Sequence, residues 1–140
     1  PAADADAGRA GSLHDRGGRD VIDSREKGKS GEREAAAILS ELFGVPVRRS
    51  QQYSGAAGDA DLVGLPGVHV EVKRRERGNV ANWIEQAMGD AVMERVPLVV
   101  HRQNGRPWLA TCCLEDLPDL VCKLYLTLSW EPDETDEEDE

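Results

Sequence analysis

The 140-residue chain reads as an α/β protein, a single sheet flanked by helices, and three observations predict it. Helical and strand periodicities follow one another in the order helix, three strands, helix, two strands, helix. Two strand pairs are joined by turn dipeptides, Pro66-Gly67 and Asn104-Gly105. The net charge of -10 lies in the tails: eight acids and no base in 131–140, five acids and three bases in 1–23, and fourteen of each in 24–130. That neutral stretch is long enough for one compact core. One domain is expected over 24–130, with disordered segments at 1–23 and 131–140, because runs of charge without apolar residues bury too little surface to order themselves.

The first helix is expected from Ser30, a capping residue, to Phe43, with Ala35, Ile38, Leu39, Leu42 and Phe43 at helical spacing and Gly44 beyond its end. "VPVRRSQQY" (45–53) reads as a strand beginning at a sheet edge, since Pro46 lacks a backbone donor. "SGAAGD" (54–59) reads as a loop, and "ADLVGL" and "VHVEVKR" as an antiparallel hairpin around Pro66-Gly67. Gly78 or Asn79 opens a second helix carrying Val80, Trp83, Ile84, Ala87, Met88, Ala91 and Val92 as an apolar stripe. "PLVVHRQ" and "PWLATCC" form a hairpin at Asn104-Gly105, and "EDLPDLVCKLYLTL" a last helix.

No stretch approaches the roughly 20 apolar residues that span a bilayer, and "PAADADAGRAGSLHDRGGRD" has no apolar run resembling a secretory signal. A soluble, cytoplasmic protein with no membrane partner is expected. Cys112, Cys113 and Cys122 lack zinc-site spacing and read as buried apolar residues. Trp83 and Trp108 read as core or interface residues, since both lie in apolar periodic stretches.

Chemistry concentrates around "HVEVKRRER" (69–77). In a strand, Glu71 and Lys73 share one face while Val68, Val70 and Val72 share the other. Asp61 starts the preceding strand, and Glu32 lies in the first turn expected for the opening helix. Phosphodiester hydrolysis uses such a set: carboxylates hold Mg²⁺, and an ammonium orients the attacking water or stabilises developing charge. Mg²⁺ needs only one or two protein carboxylates, so Asp61 and Glu71 suffice as direct ligands. A Glu-X-Lys on a strand is also a common solvated ion pair. Two features favour the catalytic reading: the strand lies between apolar elements, where unpaired acids are costly, and the acid ten residues earlier starts a strand after a Gly-rich loop.

"KGKSGERE" (27–34), "GDADLVG" (58–64) and "VEVK" (70–73) resemble the PD-(D/E)XK nuclease superfamily, most closely its small archaeal and phage Holliday-junction resolvases. The resemblance covers 27–73, more loosely to about 120. It implies a restriction-endonuclease-like core, a central mixed β-sheet flanked by helices. It also implies Glu32, Asp61, Glu71 and Lys73 as active-site residues, with Asp61, Glu71 and Glu32 toward Mg²⁺, for which Mn²⁺ can substitute. Gln86 in "WIEQA" resembles a helical glutamine that some branches place beside the metal; a solvated helix position is the other reading. Ala60 stands where the name-giving proline would be, a proline many members lack. Asp59 reads as a turn residue or an assistant to the metal. The resemblance assigns no histidine, so His69 and His101 read as packing or hydrogen-bonding groups near the sheet edge.

Within 25–77, ten bases face eight acids. Lys27, Lys29 and Arg33 flank Glu32, Arg48 and Arg49 lie on the first strand, and Arg74, Arg75 and Arg77 follow Lys73, so all eight are expected to bind DNA phosphates. No zinc finger or recognition-helix pattern is present, which favours shape-directed recognition of branched or four-way DNA over base readout. The expected function is a Mg²⁺-dependent, structure-selective endonuclease resolving Holliday junctions, acting as a homodimer because two strands must be cut symmetrically. The alternatives are a phage nicking, repair or packaging nuclease with the same site, and a non-catalytic DNA-binding or acidic interaction protein whose functional part is "EPDETDEEDE".

Overall fold

The structure is a computed structural model and describes residues 26–50, 59–92 and 94–129. The expectations for 1–23, 131–140 and most of the 54–59 loop lie outside those residues. Helix α1 covers 26–43. β1 (Arg48–Arg49), β2 (Leu62–Val63) and β3 (Val68–Arg74) follow, then α2 (Val80–Asp90), β4 (Val96–Arg102) and β5 (Leu109–Thr111). A 3-10 turn at Leu114–Asp116 leads into α3 (Leu117–Ser129).

The five strands form one mixed sheet in the order β1-β2-β3-β4-β5. β3 pairs antiparallel with β2 across the Pro66-Gly67 turn and parallel with β4, from Val68↔Val96 to Arg74↔Arg102. α2 makes the crossover that a parallel pair requires. β5 returns antiparallel to β4 across Asn104-Gly105, and β1, following Pro46, is an edge strand. The α/β sheet flanked by helices is thus the observed architecture.

The two faces of the sheet differ. Val68, Val70 and Val72 of β3 join Val96, Leu98 and Val100 of β4 in the main core. Ala35, Ala36 and Leu39 of α1 and Leu120 of α3 cover that face. Each fully buried valine or leucine there contributes about 1.5–3 kcal/mol of transfer free energy. The opposite face carries His69, Glu71, Val99 and His101, all buried, beneath α2. α2 lies shallowly on it: Ala87 is its one buried residue, and Met88 and Val92 of the expected stripe are exposed. The Asn79 side chain caps α2, accepting from the N–H groups of Ala81 at 2.9 Å and Asn82 at 3.4 Å.

Several local expectations are corrected. α1 already includes residue 26, so Ser30 is an exposed helix residue and Glu32 lies beyond the first turn. The residues before Ser30 form helix without an apolar repeat, and periodicity alone does not mark them. Cys112 and Cys113, in the link between β5 and the 3-10 turn, are half-buried, and Cys122 is exposed because the apolar side of α3 is wider than the core it covers. Trp108 is half-buried against the core and Trp83 half-buried on the α2 side. His69 sits on the central strand, away from the sheet edge.

Where α1 ends, the Ser40 hydroxyl donates to Val47 O at 3.1 Å and accepts from Val47 N–H at 2.8 Å, drawing β1 against the helix. Behind that stitch Gly64 (φ +126°) meets the β1 approach so closely that a Cβ would lie 2.3 Å from Pro46 O and 2.9 Å from Val47 Cα. Gly64→Ala is therefore expected to lower unfolding stability by about 2–3 kcal/mol through backbone strain and overpacking, read as a lower urea midpoint at unchanged slope.

Candidate active site

The site forms where β2 and β3 part. The Asp61 N–H donates to Val70 O at 2.9 Å, and the next free donor of β3, the Val72 N–H, goes to the Asp61 carboxylate, Oδ2, at 2.8 Å. The side chain of Asp61 thereby takes a place that a main-chain carbonyl would hold in a continuing ladder. Glu71 stands beside it, 6% exposed, on the β3 face opposite the valine core. His69, two residues earlier on that face and 1% exposed, places Nε2 at 2.8 Å from Glu71 Oε1. Lys73 continues the row, its Nζ 3.4 Å from Gln86 Oε1 on α2.

Of these groups Asp61 and Lys73 border a cleft of about 640 Å³ that is also lined by Lys27, Glu32 and residues 74–77, while Glu71 and His69 are buried beside it. α1 approaches β3 closely because residue 31 is glycine: a Cβ there would lie 2.9 Å from Arg74 Cβ. Glu32 meets Arg49, whose Nε donates to Oε2 at 2.7 Å. Among the described residues no group of three or more His, Cys, Asp or Glu side chains is placed to hold a metal ion, so Glu32, held by Arg49, does not close a three-carboxylate cage with Asp61 and Glu71.

The two neighbouring carboxyls are driven apart in proton affinity. Burial, reinforced by the negative charge of Glu71 and Glu32 and opposed by the Val72 hydrogen bond, pushes Asp61 up to about 7. Burial also acts to raise Glu71, but hydrogen bonds with His69 and Asp61 and the charges of His69 and Lys73 outweigh it and hold Glu71 below the usual carboxylate value.

The cations divide into four groups. Lys27, Arg75 and Arg77 line the cleft. Their loop is anchored through Glu76, which accepts from the Asn104 N–H at 2.7 Å and faces Lys27 Nζ at 3.6 Å. Arg74 also borders the cleft but is bound to Glu34, with Nη1 3.4 Å from Oε2. The same glutamate accepts from Arg102 Nη1 and, at 3.1 Å, from Trp108 Nε1. Lys29 and Arg33 are exposed on α1 and do not line the cleft. Arg48 lines a separate cavity of about 800 Å³ with Val45, Val63, Lys123 and Leu126, away from the carboxylates. Sequence reading did not find Glu34 or the His69–Glu71 bond. Only the shared parity of 69 and 71 on β3 pointed to the latter. Asp59 is exposed, and Ala60, at the proline position, is buried. His101 turns to β5, its Nε2 2.9 Å from Thr111 Oγ1, under the Trp83 ring at 5.7 Å.

Asp61 titrates near 7 in the folded chain against an ordinary 3.8. Between those values the folded state holds a proton that the unfolded state releases, so stability falls as pH rises through that window. In a chelating buffer Asp61→Asn is expected to melt above the wild type at pH 8, with the difference shrinking on acidification and vanishing below about pH 4; calorimetric melts across that range check it.

No curated protein matches the chain significantly. Among solved structures the chain is similar to Hjc, a Holliday junction resolvase of the archaeal hyperthermophile Archaeoglobus fulgidus, at 19% identity over 61% of this chain and 76% of that one, with a TM-score of 0.46. Residues 23–127 match the family described as "Phage putative PDDEXK endonuclease". Three quarters of the sequence lie within that match, and the chain belongs to this family of phage PDDEXK endonucleases.

Proposed function

We propose that the protein is a Mg²⁺-dependent DNA endonuclease that selects branched DNA, with the four-way junction as its substrate. The observation that carries the reading is a cleft lined by the Asp61 carboxyl, Lys73 and a rim of cations, with the buried Glu71 carboxyl adjoining Asp61. The donor set fits a small hard cation: two carboxyls lie side by side, and their mutual repulsion helps raise Asp61 to about 7. Asp61 and Glu71 would hold the ion, with Glu32 joining only by leaving Arg49. A bound Mg²⁺ would supply electrostatic stabilisation of the phosphate and an acidified water. Lys73, steadied by Gln86, faces the same cleft and would orient the attacking water or compensate charge on the phosphate. Lys27, Arg75 and Arg77 would grip flanking phosphates without reading bases.

Symmetric cutting of a junction requires two equivalent sites, which a twofold homodimer provides. Exposed Leu117, Val121, Tyr125 and Leu128 on α3 support that assembly, and sedimentation equilibrium reads the mass directly.

A cleavage assay on four-way, flap and linear duplex DNA tests the substrate. Preferential cutting of the junction supports the reading, and equal or greater cutting of linear duplex overturns it. Asp61→Asn and Glu71→Gln are each expected to lower Mg²⁺-dependent cleavage at least about a hundredfold, and Lys73→Ala by about 10²–10³, while all three still bind the junction.

The cation groups predict a split. Arg75→Ala with Arg77→Ala is expected to reduce the slope of log affinity against log salt by about two, one for each lost phosphate contact. Arg74→Ala is expected to lower the melting temperature instead, since it leaves Glu34 short of a partner. Filter binding at several salt concentrations, beside thermal melts, separates the two.

A further inference from the structure

His69 is an unusual occupant of its position. β3 is the central strand of the sheet, paired on both edges, and strands of that kind are normally aliphatic. An imidazole buried to 1% exposure there is costly unless its nitrogens are bonded. Its Nε2 lies 2.8 Å from Glu71 Oε1, and neither side chain is open to water. An ionised carboxylate only accepts, so Nε2 carries the hydrogen and donates. One oxygen of Glu71 is thereby tied down, and the rotation of the carboxylate is restricted.

We propose that His69 is a positioning residue for metal capture: its Nε2–H holds one oxygen of Glu71 so that the carboxylate is presented to a divalent cation shared with Asp61. The proposal rests on the reading of Asp61 and Glu71 as metal ligands given above. His69 is not itself a ligand, since its Nε2 is spent on Glu71 and its ring is buried. Two residues apart on one strand is the spacing that permits the contact, because only alternate side chains share a face. Partners that orient ligating groups in this way characteristically change metal affinity by 10–100-fold when removed.

The test compares two amides. A glutamine at 69 can place its N–H₂ near the position of Nε2, whereas an asparagine is too short and leaves Glu71 without that donor. Mn²⁺ binding to the full, DNA-free chain, followed by the paramagnetic resonance of the free ion, is the readout, with folding of each variant verified by circular dichroism. His69→Gln is expected to bind within about threefold of wild type, and His69→Asn and His69→Leu to bind 10–100-fold more weakly. Cleavage by His69→Asn should then need correspondingly more Mg²⁺ yet approach the wild-type rate at saturation. If His69→Leu does not fold, the Gln and Asn pair decides. Wild-type Mn²⁺ affinity in folded His69→Asn, with affinity lost in Glu71→Gln, would overturn the role of His69 and leave the metal reading standing. Unchanged affinity in both Glu71→Gln and Asp61→Asn would overturn the metal reading, and this proposal with it.

Discussion

The hydrogen bond from the Val72 N–H to the Asp61 carboxylate is the constraint on which the site depends. It allows β2 to stop pairing while β3 continues toward Arg74, so the sheet opens into a cleft without leaving a central-strand donor unpaired. A buried unpaired N–H would cost about 1–3 kcal/mol. The cleft and its first carboxylate are therefore one feature: the group that closes the ladder is also the group presented to the cleft.

From that point the two faces of β3 do different work. The valine face is covered by α1 and α3 and provides most of the apolar burial. The other face holds a histidine, a glutamate and a lysine under a helix that buries one alanine. The fold's cohesion is thus concentrated on one side, and the other carries charge that weakens cohesion but has chemical use. The raised proton affinity of Asp61 belongs to that second side, since burial and the neighbouring Glu71 and Glu32 charges disfavour its ionised form.

Most of the architecture was legible because it rests on local periodicity. β3 was readable to the residue as "VHVEVKR", since its alternate valines and its bounding turn agree. Asn79 and the two hairpin turns were readable from their capping and turn chemistry. The start of α1 was hidden because Glu26, Lys27, Gly28 and Lys29 carry no apolar repeat. Partnerships across the chain were equally hidden. Nothing in 70–77 shows that Arg74 belongs to Glu34 while Arg75 and Arg77 do not, because a local charge run does not encode contacts forty residues away. Arg48 and Arg49 illustrate the same limit within two residues: strand alternation sends one to Glu32 and the other to a separate cavity.

Among the described residues the edge strands of the sheet are short, two residues of β1 and three of β5. So little free backbone gives another chain almost no template for strand addition, the usual route to amyloid-like growth. The hydrocarbon on the outer side of α3 is the greater colloidal hazard, with Leu117, Val121, Tyr125 and Leu128 all exposed. Precipitation of chains not assembled through that helix would accordingly be amorphous and governed by salting-out, and detergent, rather than a strand breaker, is the remedy the architecture recommends.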